Sequence, residues 1–288
     1  MRTQRLAQTF LIAVAAISPA FAADAPGTRS YPIQLTKGSR IMVAAKVNGV
    51  AVDALLDSGA EASLLDSAFA ERVGLTGGKD VTARGSGEST MKASLIEGVK
   101  LEALGVTLEN QTVGVLDLSD VGQRLFGHRL DIIMGREIFD NARLEIDIDG
   151  KTIRVVDPAV EPKGVKLPLA SSFGIETFPV TIEGQTVQAT FDIGNGSKPM
   201  VGGVLAKKLL GDGRAVQTES GGGIGGERKR EVIDLATVEF AGKRFEKVSA
   251  TVDADDNNAH DANIGISLLR HYLITVDYKA RALWLQPK

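Results

Sequence analysis

Two acidic residues stand at matching positions in the two halves of this chain, where their spacing could support acid–base chemistry. Asp57 lies eight residues after Gly49, and Asp192 lies eight residues after Gly184. Two carboxyl groups held close together cannot both ionise easily, so they share a proton and titrate as a unit. Such a pair offers a general base and a general acid at one place. Asp57 and Asp192 are therefore the candidate catalytic residues.

The repeat continues beyond the aspartates. An apolar-apolar-Gly segment, residues 133–135, matches residues 263–265 in the second half. Gly135 follows Asp57 by 78 residues, and Gly265 follows Asp192 by 73. Two copies of a unit longer than about a hundred residues indicate a duplicated domain rather than a solenoid repeat. The sequence thus predicts one active site shared across a pseudo-twofold axis.

Short strands must position these loops. The pattern predicts strands over 41–47, 50–56, 144–148 and 152–156, and over 178–182, 187–191, 273–278 and 282–285 in the second half. Helical patterns are short: 67–73, 136–139, 204–210 and 267–270. The fold class is therefore all-β, with one or two short helices in each lobe.

Composition excludes several classes of function. The chain of 288 residues has no cysteine, so it has neither disulfides nor thiol chemistry. Its net charge of −3 and mixed signs do not resemble a nucleic-acid-binding surface. The basic run 228–230 is flanked by Glu227 and Glu231, and we expect a solvated face there. We also expect exposed loop charges at Asp117, Asp120, Asp131, Asp253, Asp255 and Asp256.

The N-terminus predicts export. Residues 1–22 combine a basic start, an apolar run and the small-x-small sequence at 20–22, which is typical of a secretory signal peptide. We expect the mature protein to be periplasmic or secreted, with no membrane association after cleavage. The predicted domains are an N-terminal lobe over 31–156, a Pro- and Gly-rich linker over 157–172 and a C-terminal lobe over 173–288.

The residues around Asp57 carry a family resemblance. Residues 55–60, Leu-Leu-Asp-Ser-Gly-Ala, and the segment 133–135 resemble the active-site signature of the pepsin/retropepsin clan of aspartic proteases. The resemblance implies two retropepsin-like β-barrel lobes with pseudo-twofold symmetry and a few short helices. It also implies an aspartic endopeptidase that needs no metal or organic cofactor and binds an extended peptide in its cleft. Because both half-sites lie on one chain, we expect a monomer to suffice.

The same resemblance assigns supporting roles within each loop. Gly59 and Gly194 allow tight turns that bring amide N–H groups near the carboxylates. Family members carry Thr or Ser after each aspartate, and its hydroxyl braces the two loops across the axis. Ser58 can form this brace, whereas Ile193 cannot, so we expect a one-sided brace with a local hydrogen bond from Asn195 instead. Ala60 offers no hydroxyl to the carboxylate, which predicts a mildly acidic to near-neutral pH optimum.

Two glycine-rich stretches follow the aspartates at the places where the family has flaps. They begin 28 and 29 residues after Asp57 and Asp192, respectively. By resemblance they close over a peptide and hydrogen-bond its backbone. The candidate substrate-binding residues are Gly85, Ser86, Gly87, Gly222, Gly223 and Gly225.

Two alternatives stay open on the sequence. Ile193 is compatible with a catalytically weak or inactive peptide-binding or envelope scaffold protein that keeps the protease fold. The Asp-x-Gly loops are also compatible with ordinary Asx-turns in a β-sandwich binding module. The distance between the carboxyl groups of Asp57 and Asp192 distinguishes the second alternative from the other two interpretations.

Overall fold

The computed structural model describes residues 29–172, 174–211, 213–214, 216–253 and 260–288. The predicted signal peptide, Asp255 and Asp256 lie outside the described residues. Within the described ranges, no helix has the length and apolar character needed to cross a membrane.

The first half contributes eleven strands and three short helices. Its strands are β1 (Arg29–Pro32), β2 (Gln34–Leu35), β3 (Ile41–Val47), β4 (Val50–Leu56), β5 (Leu64–Asp66), β6 (Lys79–Ala83), β7 (Met91–Ala103), β8 (Val106–Leu116), β9 (Ile132–Met134), β10 (Leu144–Asp147) and β11 (Thr152–Val155). Its helices are α1 (Ser67–Arg72), α2 (Ser119–Phe126) and α3 (Glu137–Asn141).

The described part of the second half repeats this pattern. Its strands are β12 (Val165–Pro168), β13 (Ala170–Ser172), β14 (Ile175–Ile182), β15 (Gln185–Phe191), β16 (Met200–Gly202), β17 (Gln217–Gly221), β18 (Arg228–Phe240), β19 (Lys243–Asp253), β20 (Ala262–Ile264), β21 (Tyr272–Asp277) and β22 (Ala282–Pro287). Its helices are α4 (Gly203–Gly211) and α5 (Ile266–Leu269).

Two eight-stranded sheets have the same strand order. The first runs β2-β3-β4-β9-β5-β8-β7-β6, and the second runs β13-β14-β15-β20-β16-β19-β18-β17. In each, one further pairing, β3 with β7 or β14 with β18, closes six of the strands into a barrel. The prediction of an all-β fold with two barrel lobes is therefore confirmed.

A third sheet joins the two lobes. Its order, β1-β11-β10-β21-β22-β12, places three strands of the first half beside three strands of the second. The lobes meet where β10 pairs antiparallel with β21, with Leu144 opposite Val276 and Ile146 opposite Ile274. All four of these side chains are fully buried. Because this sheet is shared, each lobe holds the other in a fixed orientation.

Tight hairpin turns set the register of the strands that lead to the aspartates. Asn48 and Gly49 connect β3 to β4 with φ of 48° and 84°, and Glu183 and Gly184 connect β14 to β15 with φ of 48° and 80°. Positive φ at both central residues is typical of type I′ turns, whose twist matches that of the flanking strands. Matching turns therefore deliver both aspartates to equivalent positions.

Two differences from the sequence prediction concern secondary structure. The predicted linker, 157–172, contains the strands β12 and β13, which pair with β22 and β14. Pro168 is tolerated because β12 lies at the edge of its sheet, where the missing N–H faces no partner strand. The first lobe also has a third helix, α2, which ends at Gly127 in the left-handed conformation.

The shared sheet contains a buried ion pair whose loss we expect to destabilise the protein. Arg143 Nε lies 2.8 Å from Asp277 Oδ2, and these side chains are only 8% and 9% exposed. Asp277→Asn leaves the guanidinium without its counter-charge, so the free energy of unfolding should fall by about 3 kcal/mol. Urea denaturation followed by circular dichroism measures the change.

Glu145→Gln in β10 provides the matched control. Glu145 pairs with Arg154, whose side chain is 44% exposed, so its loss should cost less than about 1 kcal/mol. Equal effects of the two substitutions would contradict a special contribution of the buried pair.

Candidate active site

Each candidate catalytic loop begins where an equivalent strand ends. The amide of Asp57, after β4, donates to Met134 O at 3.0 Å, and the amide of Asp192, after β15, donates to Ile264 O at 3.1 Å. Both acceptors belong to the apolar-apolar-Gly segments. These segments are the short parallel strands β9 and β20, which lie beside β4 and β15. Their place next to the loops explains why the repeat includes them.

The glycines of the apolar-apolar-Gly segments leave room for close backbone contact. A Cβ on Gly135 would lie 2.5 Å from Ala62 C, and one on Gly265 would lie 2.3 Å from Asn195 O. Just beyond these glycines, Arg136 N donates to Ala60 O and Ile266 N donates to Asn195 O. Each loop is therefore held at both ends by the strand beside it.

The two carboxyl groups face each other across the lobe interface. A Cβ built on Gly59 would lie 2.9 Å from Asp192 Cγ, and one on Gly194 would lie 2.2 Å from Asp57 Cγ. Any side chain at either glycine would thus displace the opposite carboxyl group. The carboxyl groups of Asp57 and Asp192 are thus held close together, one from each loop. This arrangement excludes the interpretation in which the two loops are unrelated turns of a β-sandwich.

Backbone amides bind the carboxyl group within each loop. Gly59 N donates to Asp57 Oδ1 at 2.8 Å, and Asn195 N donates to Asp192 Oδ1 at 2.9 Å. The two loops are therefore equivalent in this respect. They differ in what binds the second carboxyl oxygen.

Asp192 receives a further hydrogen bond that has no equivalent at Asp57 among the described residues. Asn263 Nδ2 donates to Asp192 Oδ2 at 2.6 Å, and Asn195 Nδ2 donates in turn to Asn263 Oδ1 at 2.8 Å. Asn195 was expected to supply a local hydrogen bond, and its side chain reaches the aspartate through Asn263. The signal for Asn263 was present in the sequence: it is polar where the first copy has the apolar Ile133.

The environment favours the protonated form of Asp57. Burial in the cleft and the adjacent charge of Asp192 together raise the pKa of Asp57 to about 8, against the lowering effect of the Gly59 amide. Asp192 accepts hydrogen bonds on both oxygens, which suits a carboxylate. The arrangement supports one shared proton, with the proton on Asp57 and the charge on Asp192.

The brace across the axis comes from one side. Ser58 Oγ donates to Phe191 O at 2.7 Å and accepts from Ile193 N at 3.0 Å. Ile193 is fully buried and packs in the core instead. Tyr278, in the turn after β21, donates from its hydroxyl to Ser58 O at 3.5 Å. Tyr278 was not identified from the sequence.

The two glycine-rich loops, residues 84–90 and 221–226, bind each other. Gly87 N donates to Ile224 O at 2.8 Å, and Ser89 N donates to Gly225 O at 2.9 Å. Gly223 N donates to Ser86 Oγ at 2.9 Å. A Cβ on Gly87 would lie 2.3 Å from Gly225 C, so this contact requires glycine. The structure therefore has the loops closed, one from each lobe.

Two arginines hold the closed loops. Arg124 of α2 donates to Gly222 O at 2.9 Å and to Gly223 O at 2.8 Å, which ties the first lobe to the loop of the second. Arg230 of β18 donates to Ser86 O in the opposite direction. Hydrogen bonds from a charged donor are stronger than neutral ones. Each glycine-rich loop thus accepts hydrogen bonds from an arginine of the opposite lobe.

The expectation of a solvated face at 228–230 is wrong. Arg228 Nη2 lies 2.8 Å from Asp253 Oδ1, and Arg230 Nε lies 3.5 Å from Asp253 Oδ2. Asp253 is also not an exposed charge, since its side chain is 3% exposed. The reason is that the contact between the loops covers this end of β18. The sequence pattern of alternating charges could not reveal that cover.

Apolar residues beside the Asp57 loop form what we call the cleft cluster. Its buried members are Leu55, Ala93, Leu116, Leu118, Val121, Leu130 and Ile133, and those packed against them include Met42, Ala60, Phe126 and Ile224. Ile224 comes from the other lobe, at the tip of its glycine-rich loop. The closed loop therefore covers an apolar surface that includes Ala60, three residues after Asp57.

Two closed barrels that present paired Asp-x-Gly loops to each other define the retropepsin-like class of fold. Residues 43–138, within the first half, match the sequence model of the family described as aspartyl protease. Over these residues the match confirms the resemblance seen in the sequence. No curated protein matches the chain.

The raised pKa of Asp57 predicts a pH-dependent gain in stability for Asp57→Asn. The folded protein holds a proton that the unfolded chain releases above about pH 4, so wild-type stability falls as pH rises from there to about 8. Asparagine cannot ionise, so the stability of the variant does not fall with pH for this reason. Calorimetry should show similar melting temperatures near pH 4 and an increasingly higher one for the variant toward pH 8.

Asp53→Asn, at an exposed position of the same strand, is the control for the removal of an acidic group. It should follow the wild type across the whole pH range. A constant difference between Asp57→Asn and the wild type at every pH would contradict the raised pKa.

The arginine contacts predict how the glycine-rich loops open. Arg124→Ala removes both hydrogen bonds to the second loop, so amides 84–90 and 221–226 should exchange with deuterium roughly tenfold faster or more. Asp120→Asn is the matched control. It removes the ion pair between Asp120 and Arg124 and leaves both contacts from Arg124 to the loop. Unchanged exchange in Arg124→Ala would show that these contacts do not hold the loops closed.

Proposed function

We propose that this protein is an exported aspartic endopeptidase in which Asp57 and Asp192 hydrolyse peptide bonds with an activated water. The observation that carries the proposal is the close approach of the two carboxyl groups, each of which lies against the glycine of the opposite loop. Groups this close share one proton, which provides an acid and a base side by side.

The hydrogen bonds at the site indicate which aspartate is the base and which is the acid in the first step. Asp192, which accepts from Asn263 and Asn195, is the carboxylate that removes a proton from water. Asp57 holds the shared proton and donates it to the carbonyl oxygen of the scissile peptide bond. As the C–N bond breaks, the leaving amine receives that water proton from Asp192. The diol hydroxyl returns a proton to Asp57 as the carbonyl re-forms, which restores the starting state.

The glycine-rich loops would bind the substrate. Residues 85–87 and 222–225 open to admit a peptide in extended form and close over it, with their backbone groups pairing to the peptide backbone. The cleft cluster offers an apolar surface for a side chain of that peptide. Ile224 lies on this surface in the closed state, so substrate entry requires it to move.

The remaining parts of the proposal concern the whole chain. Residues 1–22 serve as a signal peptide, and the mature protein acts in the periplasm or outside the cell. The two lobes, 31–156 and 173–288, are copies of one ancestral unit, which the identical strand orders support. Both aspartates lie on one chain, so a monomer suffices, and the chemistry uses no metal or organic cofactor.

A second candidate function is peptide binding without efficient cleavage. Ile193, which cannot brace the loops, and the fastened glycine-rich loops favour this scaffold role. Cleavage assays distinguish the two functions, since both bind extended peptides and only the enzyme hydrolyses them.

The dyad predicts equal dependence of cleavage on both aspartates. Mature protein is incubated with a diverse peptide library and products are identified by mass spectrometry, alongside Asp57→Asn, Asp192→Asn and the control Asp53→Asn. Each dyad variant should lose at least about 10²-fold in kcat/KM, and the control should not. Because Asp57 must hold the proton, wild-type activity should decline as pH rises through about 8.

The other outcomes are informative. Cleavage lost only in Asp57→Asn would mean that the second lobe supplies no catalytic group. Full activity in either dyad variant would refute the mechanism. A folded wild type that binds peptides and cuts none would establish the scaffold function instead.

A further inference from the structure

Arg40 occupies a tight turn that leads into the active site. Ser39 N donates to Thr36 O at 2.9 Å, and Arg40 N donates to Thr36 Oγ1 at 3.1 Å. Ser39 has a φ of 59°, which reverses the chain just before β3. The turn therefore fixes the backbone from which the Arg40 side chain extends.

The Arg40 side chain crosses to the Asp192 loop of the other lobe. A Cβ on Gly196, four residues after Asp192, would lie 3.0 Å from Arg40 Cγ and 1.8 Å from Gly38 O. The aliphatic part of Arg40 therefore lies against a glycine that leaves space for it. This contact places a cation of the first lobe beside the catalytic loop of the second.

The guanidinium group lies at the edge of the cleft cluster. Its central carbon is 5.9 Å from the centroid of the Phe126 ring, and Phe126 packs in the cluster with Ala60 and Ile224. It is also close enough to Asp57 and Asp192 to feel the charge of both. Arg40 thus lies between the dyad and the apolar surface.

This guanidinium has no ion-pair partner in the part of the chain that the structure describes. No carboxylate there lies within ion-pair distance of it, and none of its N–H groups donates to a described residue, although the side chain is half-buried. Two buried arginine side chains in the described ranges, those of Arg143 and Arg230, do have carboxylate partners. A half-buried cation with unused donors is suited to bind an anion.

We propose that Arg40 is a specificity-determining residue that binds a carboxylate of the peptide substrate near the scissile bond. This inference rests on the proposed function and adds the substrate class. The planar guanidinium donates two parallel hydrogen bonds to a carboxylate. It also offsets the repulsion that the negative dyad exerts on an acidic peptide. The carboxylate comes from a Glu or Asp side chain or from a free C-terminus.

The test compares matched peptides. From any sequence that the wild type cuts, one series places Glu or Gln at each position around the cleavage site, and a second has a free or an amidated C-terminus. We expect the acidic form to be preferred about tenfold or more in kcat/KM at one position, or the free C-terminus to be preferred in the second series. Either result supports the proposal and identifies the source of the carboxylate.

Three variants identify the residue responsible. Arg40→Gln should bring the preference to near unity while neutral peptides are still cut, and Arg40→Lys should retain part of it. Lys37→Gln, which removes an exposed cation of the same turn, should leave the preference unchanged. Circular dichroism confirms that each variant is folded.

Two outcomes would overturn the inference. One is a wild type that treats acidic and neutral peptides alike at every position and at the C-terminus. The other is a preference that survives in Arg40→Gln. The second outcome includes an Arg40→Gln variant in which kcat falls equally for all peptides and the ratio of kcat/KM between acidic and neutral peptides is unchanged. Arg40 would then act on the two aspartates and not on the substrate carboxylate.

The proposed function can fail separately. If the wild type cuts no peptide, the same acidic and neutral pairs are titrated into wild type and Arg40→Gln and followed by fluorescence anisotropy. A preference for the acidic peptide that disappears in Arg40→Gln would uphold Arg40 as the carboxylate-binding residue of a binding protein. Equal affinities would refute it.

Discussion

The structure depends on keeping two carboxyl groups in contact where water does not fully solvate them. Like charges at this distance repel strongly in a medium of low dielectric constant. The protein reduces the cost by leaving one proton on the pair, on Asp57, whose pKa rises to about 8. The remaining charge rests on Asp192, which receives hydrogen bonds from Asn263 and the amide of Asn195. The pair therefore starts with an acid and a base already distinguished.

Much of the fold serves to fix this contact. The shared six-stranded sheet sets the orientation of the lobes, and the glycines at 59 and 194 remove the atoms that would separate the carboxyl groups. Ser58 adds two hydrogen bonds across the interface. Ile193 adds none, and its fully buried side chain packs in the core instead. The hydrogen bonds to the two carboxyl groups are asymmetric as well. Among the described residues, only Asp192 accepts from a side-chain amide, that of Asn263.

The parts predicted from the sequence are those that repeat. Asp57 and Asp192, their glycines and the segments 133–135 and 263–265 occur twice at similar spacing, so one copy supports the interpretation of the other. The strands around them follow from β-branched runs and strong turn residues. The family match over residues 43–138 confirms the class.

The parts that escaped prediction occur once and depend on contacts between distant segments. Asn263 binds Asp192 from outside the Asp-x-Gly loops, and its one sequence signal is that it differs from the matching Ile133. Arg40 lies near both aspartates, and nothing in its local sequence indicates this. The burial of Arg230 arises because a loop from the other lobe covers it. β12 pairs with β22, which lies more than a hundred residues away along the chain. The local sequence around Pro168 therefore did not indicate a strand.

The titration of the two aspartate side chains tests the central claim most directly. Carbon-13 labelling of the aspartate carboxyl groups, with assignments from Asp57→Asn and Asp192→Asn, allows each shift to be followed against pH by NMR. The account predicts that the Asp57 carbon titrates near about 8 and that its midpoint falls in Asp192→Asn, where the neighbouring charge is removed. Two carboxyl groups that both titrate near about 4, as free aspartates do, would contradict a shared proton.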